Sequence, residues 1–311
     1  MLRSIFWEKY SMTEKIDKCG FIAIVGRPNV GKSTLMNKLL GQKISITSRK
    51  PQTTRHRILG IKTDLGVQAV YVDTPGMHLG AASAMNRYMN RAANSVLNDV
   101  DIIFFVVDIH KWSDEDQNVL DKLAREKVPV VLVINKVDTL KDKEKLLPLL
   151  ADLSKKMEFT EVVPVSAKRG NNLDQLEKIA ERFLPKSGPL FPEEQVTDKS
   201  ERFVASEIIR EKLMRRLQQE LPYSLTVEIE RFKTEKGILY IDSVIWVERD
   251  SQKRIVIGKS GSVLKEIGRN ARIDMENIFE RKVHLGLWVK VKEGWSDNVN
   301  LMKKLGYDEL D

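Results

Sequence analysis

Apolar runs of strand length alternate with helix-sized segments over the first 185 residues. The runs are FIAIVG, ISITS, QAVYVD, DIIFFVVD, VPVVLVINK and EVVPVSA. Such continuous apolar runs are typical of buried parallel strands, because helices cover both faces of the sheet. A TDLG turn within IKTDLGVQAVYV predicts a hairpin, so one edge strand is expected to be antiparallel. The pattern predicts an α/β domain with a mixed, mostly parallel sheet.

A different pattern follows this domain. The segment 172–185 has a helical apolar stripe closed by a proline, and the next stretch is rich in proline and charge. Beyond it we expect a helix that ends at Pro222, two strands across a glycine turn, a helix through about Phe279 and a final strand of period two. The order is αββααβ, which indicates an α+β domain. The tail from Trp295 is expected to contain a short helix.

These patterns divide the chain into five parts. They are an N-terminal extension (1–19), a first domain (20–185), a linker (186–198), a second domain (199–293) and a C-terminal tail (294–311). A chain of 311 residues is long enough to bury two separate cores.

Composition excludes several classes of protein. With 42% hydrophobic and 31% charged residues, the chain is expected to fold. No apolar run reaches the roughly 18–20 residues that cross a bilayer. Residues 1–11 lack the pattern of a signal peptide, and Met12 is an alternative start. Cys19, the single cysteine, is expected to be a buried thiol in a reducing cytosol. The net charge of +8 favours an acidic partner, either nucleic acid or anionic lipid.

A glycine-rich loop links the first strand to a helix. The segment GRPNVGKS at 26–33 fits the pattern GxxxxGK[ST] and precedes the helical pattern TLMNKLL. In such a loop the backbone N–H groups and the helix N-terminus bind phosphates, the lysine reaches the β and γ phosphates, and the serine hydroxyl ligates magnesium. The sequence therefore predicts a nucleoside triphosphate site. Its candidate residues are Gly26, Asn29, Val30, Gly31, Lys32, Ser33 and Thr34.

A second motif predicts the base. Asn135, Lys136 and Asp138 follow an apolar strand, at the sheet edge where open α/β folds bind ligands. Guanine presents adjacent N–H and amino groups that match the two oxygens of Asp138, whereas adenine lacks the amino group. The segment SAK after EVVPV is expected to place a backbone N–H near the guanine oxygen. It adds three candidates: Ser166, Ala167 and Lys168.

Two further segments are predicted to contact magnesium and the γ phosphate. Asp73, after QAVYV, is placed to hold magnesium through water, and the Gly76 N–H is placed to contact the γ phosphate. In the basic loop SRKPQTTRHR, Thr54 is the candidate second magnesium hydroxyl, with Thr53 as the alternative. The predicted metal residues are Ser33, Thr54 and Asp73, and the predicted catalytic residues are Lys32, Thr54 and Gly76.

The segments GRPNVGKS, QTTRHR, DTPG, NKVD and SAK, in this order, resemble the translation-factor-related GTPases and most closely the Era family. The resemblance covers the whole chain. It implies a P-loop GTPase domain, binding of GTP or GDP with Mg²⁺, and slow hydrolysis of GTP to GDP with a conformational switch.

A second Gly-Lys-Ser lies in IVIGKSGSVLKEIGRNAR at 255–272, with a different spacing. It reads GxxG, and we interpret it as a loop that follows a strand and precedes a helix. Together with the αββααβ order it resembles the type II K-homology domain, whose GxxG loop holds about four nucleotides of single-stranded RNA. The predicted RNA-binding residues are Gly258, Lys259, Ser260, Gly261 and Lys265.

Charge and aromatic residues bear on this interpretation. Residues 250–292 contain ten Lys or Arg residues and five Asp or Glu residues, and such an excess of cations favours RNA. Trp288 and Trp295 are expected to pack in the core or at its rim, with stacking on bases as the alternative. The basic helix face from Arg210 to Arg216 is expected to be solvated, with contact to RNA or lipid as the alternative.

The sequence therefore predicts a GTP-controlled RNA-binding protein, which we expect to be a monomer. The resemblance implies binding near the 3′ end of 16S ribosomal RNA and a role in small-ribosomal-subunit maturation. It also implies a cytoplasmic location, with peripheral contact at the inner face of the cell membrane. One alternative is a membrane-surface GTPase switch in cell-cycle or growth control. An ATP-driven RNA remodeller is disfavoured by Asp138, and ATP would then compete with GTP.

The residue after DTPG predicts a dependence on potassium. Ras-like enzymes carry a glutamine there to orient the attacking water, whereas this chain has Met77, so hydrolysis should be slow. We expect Asn29 to help hold a K⁺ ion that supplies the charge of an arginine finger; the alternative is that Asn29 only supports the loop. GTP hydrolysis should then be faster in potassium than in sodium buffer at matched ionic strength. Equal rates would contradict this.

Overall fold

The computed structural model describes residues 16–307, apart from 49, 78–82, 98, 143, 145 and 219–220. Most of the predicted extension, including Met12, and the last four residues of the predicted tail lie outside the described residues.

A six-stranded sheet forms the centre of the first domain. Its strands are β1 (Lys18–Val25), β2 (Ile58–Asp64), β3 (Val67–Asp73), β4 (Ile102–Asp108), β5 (Val130–Asn135) and β6 (Glu161–Pro164). The order is β2-β3-β1-β4-β5-β6, and β2 is antiparallel to β3 while all other neighbours are parallel. The predicted mixed sheet, hairpin and antiparallel edge strand are confirmed.

Helices cover both faces of this sheet. They are α1 (Lys32–Leu40), α2 (Ala84–Asn94), α3 (Asp114–Leu123), α4 (Leu146–Ser154) and α5 (Leu173–Phe183). Phe104 and Phe105 are consecutive residues of β4, and both are fully buried, one in each of the two core clusters. Burial of successive residues explains why the strands read as continuous apolar runs.

The segment ISITS was expected to form a strand, and this prediction is wrong. The described residues between α1 and β2 form a loop, which we call the loop 42–57. The side-chain oxygen of Asn37 accepts hydrogen bonds from the N–H groups of Ile44 and Ser45, both at 2.9 Å, and Ile46 is buried. The alternation of apolar and polar residues therefore comes from a loop that packs against α1. The side chain of Asn37 in α1 binds backbone N–H groups that a neighbouring strand would otherwise bind.

The second domain has the predicted order αββααβ. Its elements are α6 (Glu201–Arg216), β7 (Thr226–Glu235), β8 (Ile238–Val247), α7 (Asp250–Ile257), α8 (Ser262–Phe279) and β9 (Lys282–Val291). The sheet order is β7-β8-β9, with β7 antiparallel and β9 parallel to β8. The helices bury one face of this sheet in a separate core cluster.

Three details of this domain differ from the sequence-based expectations. Helix α6 ends at Arg216, before Pro222, because Leu217 is extended and buried in the core. A helix, α7, precedes Gly258 where a strand and a short loop were expected, and its buried Val256 anchors it. Trp288 is 50% exposed, so the expectation that it packs is wrong for this residue.

The tail packs against the first domain. It contains a short helix, α9 (Val299–Lys304), as predicted. Trp295 is completely buried, also as expected, in a cluster that includes Met85 and Tyr88 of α2 and Tyr307 of the tail.

The segment between the domains runs along the free edge of β2. Ile61 N–H donates to Val196 O at 2.9 Å, and Leu59 N–H donates to the Asp198 side chain at 3.0 Å. These bonds satisfy an edge that would otherwise be open to another chain. Among the described residues, no helix combines the length and apolar character needed to span a membrane.

Candidate nucleotide and nucleic-acid sites

The glycine-rich loop wraps around the side chain of Lys32. Gly26 and Gly31 have φ of 148° and 106°, and a Cβ at Gly31 would lie 2.3 Å from the side-chain nitrogen of Asn135. Lys32 Nζ donates to the carbonyls of Gly26 at 2.9 Å and Arg27 at 3.0 Å. Burial lowers the pKa of Lys32 to about 8, although the Asp73 carboxylate opposes this shift. An anionic phosphate would favour the charged lysine.

Three predicted metal residues from different segments meet at one point. Ser33 Oγ donates to Asp73 Oδ2 at 2.7 Å, and Ser33 Oγ and Thr54 Oγ1 lie 2.8 Å apart. Ser45, which the sequence did not suggest, also donates to Asp73 Oδ2 at 2.8 Å. Thr53 Oγ1 instead donates to Lys50 O within the loop, so Thr54 is the threonine that reaches this point.

The neighbours of Asp73 only partly compensate the cost of burying its carboxylate. Its side chain is completely buried, and its Oδ1 has no hydrogen-bond partner among the described residues. Burial raises the pKa of Asp73, although hydrogen bonds from the surrounding hydroxyls oppose the shift. An unpartnered carboxylate oxygen beside two hydroxyls suits a hard cation that prefers oxygen ligands, and Mg²⁺ is such a cation.

The predicted base-binding residues form a connected set. The side chain of Asn135 donates to Val30 O at 2.8 Å, and its oxygen accepts from the Ala167 N–H at 3.0 Å. Ser166 Oγ donates to Asp138 Oδ1 at 2.6 Å, which fixes a carboxylate whose side chain is 8% exposed. Asn135 therefore joins the phosphate loop to the base-binding loop.

Lys136 spans the same two loops. Its Nζ donates to Asn29 O at 2.8 Å and to Asp108 Oδ2 at 2.6 Å. Asp108, at the end of β4, was missed because an isolated carboxylate at a strand end has no motif. Lys168 is exposed on its loop, and Thr34 lines the phosphate cavity.

The DTPG turn approaches the phosphate loop closely. A Cβ on Gly76 would lie 2.7 Å from the backbone nitrogen of Pro28, so only glycine fits there. Thr74 Oγ1 donates to Ile24 O at 2.9 Å and fixes the turn to β1. Met77 is completely buried in a core cluster, so its side chain is not available to orient water.

Helix α6 of the second domain holds the loop 42–57. The carboxylate of Glu211 is fully buried; it accepts from the Thr47 N–H at 3.0 Å and from Lys43 Nζ at 2.6 Å. Arg210 is 1% exposed and donates to Thr53 O, immediately before Thr54. The expectation of a solvated basic face on this helix is therefore wrong for Arg210.

The residues after Thr54 continue into the second domain and the tail. Arg55 is completely buried and donates to Leu225 O at 2.8 Å and to the Tyr307 hydroxyl at 3.2 Å. The His56 ring stacks on Tyr307 with centroids 4.7 Å apart. No short motif could reveal these contacts, because their partners lie more than 160 residues away in the sequence.

The second Gly-Lys-Ser lies beside a groove at the edge of the second sheet. Gly258 and Gly261 have φ of 74° and 76°, and Lys259, Ser260 and Lys265 are exposed. The groove lies between α8 and β9 and combines apolar and cationic residues. It is lined by Gly261, Leu264, Lys265, Gly268, Arg269, Arg272, Leu285 and Leu287. Arg269 and Arg272 were not predicted, although their spacing from Lys265 on one helix face could have indicated them.

Two families match different parts of the chain. The family described as "50S ribosome-binding GTPase" matches residues 21–136, and the family described as "KH domain" matches residues 220–296. GTPase Era of Histophilus somni (strain 129Pt) is 62% identical over 297 residues, which are 95% of this chain and 99% of that relative. GTPase Era of Haemophilus influenzae (strain PittGG) is 60% identical over 299 residues, with 95% and 99% coverage.

Solved structures show the same similarity. An Aquifex aeolicus Era variant bound to GDP and AlF4⁻ is 41% identical, with a TM-score of 0.90 over 93% of this chain and 99% of that one. A structure of Era with MgGDPNP and nucleotides 1506–1542 of 16S ribosomal RNA is 41% identical, with a TM-score of 0.91 over 94% and 99%. From its sequence, its fold and these relatives, the chain belongs to the GTPase Era family.

Proposed function

We propose that this protein binds GTP with Mg²⁺ in its first domain and 16S ribosomal RNA in its second, and assists maturation of the small ribosomal subunit. As a member of the GTPase Era family it is an enzyme that hydrolyses GTP to GDP and phosphate. The observation that carries the proposal is the meeting of Ser33 and Thr54 at the buried carboxylate of Asp73, whose other oxygen, Oδ1, has no hydrogen-bond partner among the described residues.

Each part of the nucleotide has proposed partners. The N–H groups of the glycine-rich loop and Lys32 hold the phosphates, and Asp138 selects guanine through two hydrogen bonds. Ser33, Thr54 and Asp73 would hold Mg²⁺, which neutralises charge that develops on the phosphates. Because Met77 is buried, it cannot orient the attacking water, and this supports slow hydrolysis. We keep the hypothesis that Asn29 helps hold a K⁺ ion, which supplies the positive charge of an arginine finger.

The second domain supplies the RNA site. Among the relatives, one Era structure contains 16S ribosomal RNA nucleotides, and the groove beside Gly261 has the mixed apolar and cationic lining that a single strand requires. We propose that residues 20–185 form the first domain, 186–198 the linker, 199–293 the second domain and 294–311 the tail. We place the protein in the cytoplasm.

The contacts of α6 suggest how the two sites communicate. Thr54 needs the loop 42–57 to lie inward, and Glu211 and Arg210 hold that same loop from the second domain. A triphosphate that favours the inward loop therefore favours this placement of the second domain, and the effect is reciprocal. The same contacts occupy part of the basic helix, which weakens the alternative that the helix binds lipid.

Replacement of Asp138 by asparagine should change base selection. The amide offers one acceptor and one donor, and its donor opposes the guanine amino group but matches a carbonyl at that position. GTP affinity should fall at least about a hundredfold, and xanthosine triphosphate should bind better than GTP. Calorimetry measures both. Asp152→Asn, at an exposed position of α4, is the control, and equal GTP affinity in the two variants would refute the assignment.

Replacement of Gly258 and Gly261 by aspartate tests the RNA site. The new charges repel phosphate, and both positions have positive φ. RNA affinity should fall at least about tenfold with GTP hydrolysis unchanged. Lys259→Asp, which keeps both glycines, should also lower RNA affinity, and it does so without backbone strain. Intact binding to the 3′ segment of 16S ribosomal RNA in both variants would refute the site, and loss of binding to anionic vesicles alone would favour the membrane-surface alternative.

Glu211→Gln tests the communication between the sites. The substitution keeps the side-chain size but removes the charge that binds Lys43. The difference in RNA affinity between the triphosphate and diphosphate forms should shrink from at least about fivefold to within about twofold, while GTP still binds. Glu266→Gln, in the half-exposed pair with Arg216, is the control. An undiminished difference in the Glu211 variant would show that the coupling does not pass through this contact.

A further inference from the structure

Trp288 lies on the opposite face of β9 from the RNA groove. Val283 and Val289 of the same strand point into the core, and Leu287 lines the groove. Because side chains alternate along a strand, the indole of Trp288 lies on the sheet face away from α8, where half of it is exposed. Packing within the second domain therefore does not explain a tryptophan at this position.

The indole lies over the backbone of Gly286. A Cβ at residue 286 would lie 2.7 Å from Cη2 of Trp288 and 2.7 Å from Oδ1 of Asp242. The ring therefore lies back along the strand over Gly286 and does not project freely into solvent. A ring that rests on the backbone loses less conformational freedom when a ligand stacks on it than a ring that projects into solvent.

Trp246 and two lysines lie further along the same sheet face, and the carboxylate of Asp242 on this face is paired with Arg231 at 3.8 Å. Lys290 lies two residues further along β9, and its Nζ and that of Lys292 lie 5.6 and 5.0 Å from the Trp246 ring. The nearby carboxylate of Glu230 is already paired with Lys290 at 3.0 Å. An aromatic face beside lysines matches the two parts of a nucleotide, because the base stacks and the phosphate is neutralised.

The groove and this face are continuous across the strand edge. In the part of the chain that the structure describes, β9 pairs with β8 alone and is an edge strand. Leu287 and Trp288 are consecutive, so an RNA strand that leaves the groove across the free edge of β9 reaches the indole next.

We propose that Trp288 stacks on a base of the same RNA strand, outside the segment that the GxxG loop holds. This inference rests on the proposed RNA binding by the second domain. The site takes a single-stranded nucleotide with little preference among bases, because every base has a face that can stack.

The test compares two lengths of fluorescein-labelled, single-stranded RNA from the 3′ end of 16S ribosomal RNA, one of about four nucleotides, which fills a groove of this kind, and one of about ten. The full-length Trp288→Ala variant should bind the longer RNA about fivefold to a hundredfold more weakly and the shorter RNA within about twofold of the parent. Trp288→Phe should recover most of the affinity, because it keeps a ring. The longer RNA should also quench tryptophan emission in the parent but less in Trp288→Phe.

Trp112→Phe, in the first domain, is the matched control and should bind and quench as the parent does. Equal affinity of parent and Trp288→Ala for the longer RNA would overturn the inference, as would an equal loss for both lengths. If Trp288→Ala binds both RNAs normally but binds whole small subunits more weakly, the face docks a protein and the inference is wrong. Failure of the proposed RNA site itself is distinct, because the variant with aspartate at 258 and 261 would then bind both RNAs normally.

Discussion

The carboxylate of Asp73 is completely buried, and hydroxyl groups from α1 and from the loop 42–57 converge on one of its oxygens. Burial of an ionised carboxylate costs several kcal/mol unless hydrogen bonds and an opposite charge compensate it. The hydroxyls supply part of that compensation, and the second oxygen leaves the rest to a cation. The inward fold of the loop is thus tied to the electrostatic balance of one side chain.

The same loop has a second set of partners that lies in the other domain. Glu211 is a buried anion that pairs with two lysines and an arginine, and because Lys43 and Arg215 are partly exposed, loss of one of these partners should cost less than the roughly 3–5 kcal/mol of a fully buried pair. Typical coupling between sites is about 1–3 kcal/mol, so these contacts are strong enough to carry it. Arg55 and His56 contact Tyr307, so the tail is also joined to this loop.

The sequence predicted what local chemistry determines. The glycine-rich loop, the carboxylates of Asp73 and Asp138 and the αββααβ order follow from spacing and periodicity, and the side chains of Ser33, Thr54 and Asp73 meet as their motifs imply. ISITS was mistaken for a strand because Asn37 satisfies its backbone, which no periodicity records. The buried role of Arg210 was missed because its charge suggests solvent, whereas it pairs with the buried Glu207 on the same helix and donates to the Thr53 carbonyl far away in the sequence. Local pattern thus specifies each site, and tertiary contacts specify how the sites are joined.

The bonds along β2 limit how the domains can move. Val196 and Asp198 are bonded to that strand, and Ser200 caps the start of α6, so Lys199 alone separates the two attachments. A tether this short keeps the local concentration of one domain near the other in about the millimolar range, even when the contacts between α6 and the loop 42–57 are broken. A change between nucleotide states can then reorient the second domain about this short segment, but it cannot carry that domain far from the first.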